Sequence, residues 1–109
     1  MYIVSSDDAQ WCKEKFRSFN NNKKKKRNIF YTEDFSAERE AKKLPGPQTD
    51  MAIAASCNHT IYDYGTFGFW GAYLAGGHAI FARHRSLDKA VENIEAAQLE
   101  NWEVIEAFE

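Results

Sequence analysis

The stretch "HTIYDYGTFGFWGAYLAGGHAIFA", residues 59–82, constrains the fold more than any other part of the chain. Two short apolar runs, "HTIYDY" and "HAIFA", read as strands, and "TFGFWGAYLAGG" between them reads as a helix closing on a glycine pair. The same alternation recurs upstream. "MYIVSS" is a short apolar run ending in two serines, which reads as a buried strand. Asp7 then opens "DDAQWCKEKFRSF", where Ala9, Cys12, Phe16 and Phe19 recur at helical spacing and Asp7 and Asp8 sit at the positive end. "NNNKKKKRN" reads as a polar loop, "IFY" as a second strand and "SAEREAKKL" as an exposed helix. "PGPQT" is expected to be non-helical, because two prolines flank a glycine, so Thr49 or Asp50 is expected to cap the helix "DMAIAASC". Beyond Arg83, "SLDKAVENIEAAQ" is polar and helix-prone, and "NWEVIEAFE" reads as a short apolar tail. Strand and helix alternate throughout, which predicts an α/β fold: one parallel sheet of about four strands with helices on its faces.

Composition narrows the function classes. The 109 residues suffice for one small domain, and 44% hydrophobic with 15% aromatic content can fill a core. A net charge of -2 supplies no global field to recruit nucleic acid or a membrane surface. The longest apolar run, "MAIAA", is far short of the roughly 20 residues of a membrane span. "MYIVSSDD" lacks the basic head and long apolar stretch of a signal peptide. Cys12 and Cys57 are too few for a disulfide scaffold and lack metal-ligand spacing; as small buried hydrophobes they need no function. His59, His78 and His84 also lack metal spacing. "NHT" at Asn58 is formally a glycosylation sequon, but its place between two apolar elements leads us to expect burial. "KKKKR" reads as a solvated loop, the other readings being a phosphate-holding run or a nuclear address.

In parallel sheets ligands bind beyond the carboxyl ends of the strands. Three stretches fall there: Ser5, Ser6 and Asp7; the loop before Asp50; and Asp63–Thr66. "YGTFGFWG" leaves a strand and opens a helix, where backbone N–H groups form an anion site and glycines admit a phosphate. Thr66 could cap that helix and donate its hydroxyl to a phosphate oxygen. Alternatively, Gly65, Gly68 and Gly71 simply allow close helix–sheet packing. Asp50 is either a cap or a carboxylate that accepts hydrogen bonds from a base edge or ribose hydroxyls.

"CNHTIYDYGTFGFWGAYLAGG" resembles the C-terminal motif of the galactoside α-1,2-fucosyltransferases, glycosyltransferase family 11. The Asp50 helix and "YIVSSDDAQWCKEKF" fit the same half-domain, so the resemblance covers about residues 1–82 and extends more loosely to the end. It implies a partial Rossmann-like parallel sheet with flanking helices, the C-terminal half of a GT-B-type glycosyltransferase. It also implies GDP-fucose as donor, a galactose-terminated glycan as acceptor, and no metal or other cofactor. By the resemblance Asp50 contacts guanosine, Ser5, Ser6 and Asp7 lie near the base, and Gly65, Thr66, Phe67 and Gly68 hold the diphosphate. The family's His-x-Arg-Arg-x-Asp motif, whose arginine neutralises the diphosphate, is missing from the 109 residues. The connection through "NNNKKKKRN" and "SAEREAKKLPGP" looks longer than usual, and His78 stands where an acidic residue is expected. The whole chain, 1–109, is therefore expected to be the GDP-fucose-binding portion of such an enzyme, without its acceptor domain and membrane anchor, and inactive alone. The full-length family implies the lumenal side of the Golgi membrane; this chain by itself carries no targeting segment and is expected to be cytoplasmic. The alternatives are an inactive nucleotide-sugar-binding module and a basic-loop interaction protein.

Overall fold

Short runs rich in β-branched and aromatic residues form the strands, and three of them end where Ser5, Thr32 and Asp63 interrupt the run. The computed structural model describes residues 1–20, 28–44, 46–63, 65–83, 94–95 and 98–106. The chain divides into two compact units, Met1–Asp50 and Met51–Glu109.

In the first unit, strands β1 (Tyr2–Val4) and β2 (Ile29–Tyr31) pair in parallel, with Val4 opposite Tyr31. Between them in sequence lie α1 (Ala9–Lys15) and α2 (Arg17–Asn20). Asp8 caps α1, its Oδ1 accepting the Trp11 N–H at 3.0 Å, which satisfies one of the unpaired donors of the first turn. The predicted single helix breaks at Phe16, whose N–H closes onto the Cys12 carbonyl. That break resets the helical face: Ala9 and Cys12 are buried, whereas Phe16 and Phe19 are exposed, contrary to the expected four-residue stripe. After β2 come a 3₁₀ turn (Thr32–Phe35) and α3 (Ser36–Ala41). Lys13 on α1 reaches Asp34 of that turn at 2.6 Å, and this hydrogen bond raises the lysine above its ordinary pKa. A two-stranded sheet is marginal on its own, and Tyr2, Ile3 and Phe30 leave apolar surface exposed on it.

Helix α4 (Gly46–Ala55) corrects the reading of "PGPQT". Pro47 is the second helical residue, within the first turn, where its missing N–H has no intrahelical acceptor to lose and its fixed φ suits the helix. Thr49 and Asp50 consequently lie inside the helix, and neither is its N-cap.

In the second unit, β3 (Thr60–Tyr62), β4 (Ala79–Arg83) and β5 (Trp102–Glu106) form a parallel sheet in that order. Helix α5 (Gly65–Ala75) makes the crossover from β3 to β4, as expected, and ends at Gly76 with φ +78°. The fold is thus α/β with parallel sheets and flanking helices, and the described residues form sheets of two and three strands rather than one of about four. The expected apolar tail is strand β5. Trp102 and Val104 are half-buried while Glu103 is exposed, a period-two signal confined to three residues. The helix-prone run at 86–98 and the loop at 20–28 fall largely, and His84 wholly, outside the described residues.

Phe81 is fully buried at 0% exposure, and Ala72, Ala79 and Ile94 are buried in the same unit. Its ring lies 5.1 Å from that of Tyr62, and Tyr62 meets Trp102 at 5.9 Å. Phe69 of α5 rests on Trp102 at 5.1 Å. On the sheet's other face Ile61 is 70% exposed. No helix among the described residues is long and apolar enough to cross a membrane. Cys12 and Cys57 are free thiols. Asn58 is exposed, which corrects the expectation of a buried sequon: it lies in the turn before β3, not within an apolar element.

Burial pushes the Tyr62 hydroxyl up to about 12, from an ordinary value of 10.0. The folded chain therefore keeps this phenol neutral at a pH where the unfolded chain releases its proton. The stabilising contribution is complete below pH 10 and is lost as pH rises toward 12. Urea midpoints measured across that window should fall more steeply for the wild type than for Tyr62→Phe. Parallel curves would remove Tyr62 as the cause.

Candidate functional site

The register of the first unit's sheet decides what gathers at its carboxyl end. Because Val4 lies opposite Tyr31, Ser5 and Thr32 leave the sheet side by side. Ser5, Ser6 and Asp7 are all exposed there. The Ser6 hydroxyl accepts the Asp8 N–H at 3.1 Å, tightening the turn into α1. Thr32 is buried, and its carbonyl accepts Arg39 Nη2 at 2.7 Å. The same guanidinium donates through Nη1 to Asp50 Oδ1 at 2.6 Å and makes a longer contact, 3.5 Å, with the Gly46 carbonyl. The structure thus brings Asp50 to the sheet end that carries Ser5–Asp7, through Arg39. No hydrogen bond joins Asp50 to Ser5, Ser6 or Asp7 among the described residues.

Arg39 carries no signal in the sequence. "SAEREAKKL" reads as an exposed helix, yet the Arg39 side chain is 14% exposed and that of Asp50 24%. No local spacing connects residues eleven apart across two prolines, so the pair is a product of tertiary structure. The second oxygen of Asp50, Oδ2, makes no hydrogen bond among the described residues and can accept one.

The second unit holds the remaining candidates at the carboxyl end of β3. Gly65 opens α5 with φ +88°, a left-handed conformation that other residues resist, and the space above it is open. Gly68 is different: a Cβ there would meet Tyr62 Cδ2 at 2.7 Å. At Gly71 it would meet Ala54 Cβ at 3.1 Å. The glycines therefore divide between the two readings, with Gly65 shaping the turn and Gly68 and Gly71 allowing close packing. Thr66 is the second residue of the helix and so does not cap it. Its hydroxyl makes no hydrogen bond among the described residues. The N–H groups of Gly65, Thr66 and Phe67 precede any acceptor within the helix, and all three residues are exposed. In chemical terms this turn offers N–H donors, a hydroxyl and the positive end of an eleven-residue helix to an anion.

Two other features lie apart from these groups. A hollow of about 540 Å³ is lined by Ile94, Leu99, Trp102 and Val104, and none of the candidate residues borders it. Among the described residues no three His, Cys, Asp or Glu side chains converge as metal ligands would.

The sequence profile of glycosyl transferase family 11 matches residues 1–106. Galactoside alpha-(1,2)-fucosyltransferase 1 of Saimiri sciureus is 35% identical over 111 residues, covering 98% of this chain and 27% of that protein. The enzyme of the same name from Leontopithecus chrysomelas gives the same 35%, 98% and 27%, and that of Alouatta caraya is 34% identical over the same shares. The chain spans about a quarter of the length of these relatives. No solved structure matches it.

Proposed function

The chain belongs to glycosyl transferase family 11, and from that premise we propose that it is the donor-binding portion of a galactoside α-1,2-fucosyltransferase, with GDP-fucose as donor and a galactose-terminated glycan as acceptor. One observation carries the reading: the family match spans residues 1–106 and therefore includes both groups of candidate residues. In the first unit, Asp50 with Ser5, Ser6 and Asp7 contacts the guanosine. In the second, Gly65, Thr66 and Phe67 contact the diphosphate, and Gly68 supports that turn by letting α5 fit closely on β3, where a Cβ would meet Tyr62.

In the reaction so assigned, the 2-hydroxyl oxygen of galactose attacks the fucose anomeric carbon. The bond from that carbon to the β-phosphate oxygen breaks, and its electron pair leaves on GDP. The hydroxyl proton goes to a base. Stabilising the departing diphosphate is an electrostatic task for donors already in place. The first turn of α5 and the Thr66 hydroxyl suit that task. The family's place of work, the lumenal side of the Golgi membrane, belongs to this reading, as does a donor site that needs no metal.

The 109 residues contain no His-x-Arg-Arg-x-Asp sequence, so the main cation facing the diphosphate is lacking. Charge-assisted hydrogen bonds are about twice as strong as neutral ones. The loss of one such donor costs about 3–4 kcal/mol, or 10²–10³ in rate. On its own the chain should bind GDP no more tightly than about 1 mM, near 4 kcal/mol, and transfer no fucose. Titration calorimetry with GDP and a labelled GDP-fucose assay against galactosides check both statements. Micromolar binding or measurable α-1,2 transfer by this chain alone would overturn them.

A further inference from the structure

We propose that Arg39 is a positioning residue for base recognition: it fixes one oxygen of Asp50 so that the other accepts hydrogen bonds from the N–H edge of guanine. The inference rests on the reading that Asp50 faces the donor's base. The geometry adds what holds it there.

Arg39 is anchored at two points that do not depend on its partner carboxylate. Its Nη2 donates to the backbone carbonyl of Thr32, the residue directly after β2, and Nη1 approaches the carbonyl of Gly46 at the start of α4. Backbone carbonyls move only with their elements, so the planar fork is held in one orientation. The remaining contact, 2.6 Å from Nη1 to Asp50 Oδ1, transmits that orientation to the carboxylate. Oδ2 is left without a hydrogen bond among the described residues. A carboxylate so held accepts N–H groups and repels lone pairs. Guanine presents adjacent N1–H and 2-amino donors on its Watson–Crick edge, whereas adenine presents an acceptor at N1. Hypoxanthine keeps N1–H and lacks the 2-amino group.

That difference supplies the test, made on the full chain, isotope-labelled and titrated by NMR with GDP, with inosine diphosphate and with inorganic pyrophosphate. The wild type should prefer GDP over inosine diphosphate by about tenfold, the worth of one charge-assisted hydrogen bond. Asp50→Asn should abolish the preference. Arg39→Lys retains the charge but cannot span Thr32 and Asp50 together, and should reduce the preference to about twofold. Neither substitution should change the response to pyrophosphate, which a general loss of structure would. The wild type provides a further reading without mutation: the Arg39 side-chain signal should move with GDP and stay still with pyrophosphate. If Asp50→Asn abolishes the preference and Arg39→Lys leaves it at tenfold, the positioning role is wrong while the base contact stands. If GDP moves neither Asp50 nor Ser5–Asp7 in the wild type, the donor-site reading itself falls. Should Arg39→Lys fail to fold, a stationary Arg39 signal in GDP-bound wild type refutes the role by itself.

Discussion

Replacing Gly77 by alanine should destabilise the second unit by about 3 kcal/mol, the upper end of what overpacking ordinarily costs. The new Cβ would lie 1.7 Å from the Asn58 carbonyl oxygen and 2.7 Å from His59 Nδ1. Neither partner can retreat freely. The His78 N–H donates to His59 Nδ1 at 3.0 Å, and the Thr60 N–H donates to the His78 carbonyl at 2.9 Å. These two bonds draw the approach to β3 against the approach to β4, and an added methyl group must break at least one of them. A unit of this size has only about 3–9 kcal/mol of stability in total, so the substitution should leave it close to unfolded. Gly76 provides the contrast. Its φ of +78° disfavours alanine, but nothing lies within 4 Å of the new Cβ. That change should cost about 1 kcal/mol, from backbone conformation alone. Urea unfolding followed through the amide signals of β3 and β4 separates the two. Equal midpoints for the alanine variants would show that the approach at Gly77 relaxes without cost.

How much of this was legible from residue order depends on whether the signal was local. The unit from β3 through α5 to β4 was legible because glycines and short apolar runs punctuate it within two dozen residues. Asp7 and Asp8 mark the start of α1 in the sequence, but only the fold shows that Asp8 is the cap. The start of α4 is hidden in the sequence because proline reads as a helix breaker, although the first turn tolerates it. Phe16 and Phe19 fit a helical stripe only while the helix continues, and its break at Phe16 removed them from that face. β5 gave too short an alternation to stand out from a charged tail. Of the candidate site, the turn at Gly65 and the sheet-end position of Ser5–Asp7 followed from topology. The ion pair between Arg39 and Asp50 did not, because it depends on where Thr32 and the start of α4 meet in space. The division of labour among Gly65, Gly68 and Gly71 was equally hidden, since each glycine is assigned by its neighbours in the fold.

Phe81→Ala should cost about 3–5 kcal/mol, the range for removing a buried aromatic ring from a packed core. The ring is fully buried on the central strand of the second sheet, so no solvent can fill the space at low cost. Its loss should reach the candidate anion site by a traceable route. Phe81 packs against Tyr62 at 5.1 Å, and Tyr62 is the surface on which Gly68 seats α5. Once Tyr62 can shift into the cavity, the first turn of α5 loses its lateral support, and the N–H groups of Gly65, Thr66 and Phe67 lose their common direction. Phe81→Leu retains most of the volume and should cost less than the alanine variant, with the turn kept in place. Calorimetric unfolding gives the two stabilities, and amide exchange at residues 65–67 reports the turn. Faster exchange at that turn in Phe81→Ala, and wild-type rates in Phe81→Leu, are the expected results. If the alanine variant loses stability while the turn exchanges at the wild-type rate, α5 is held by Phe69 on Trp102 and not through Tyr62.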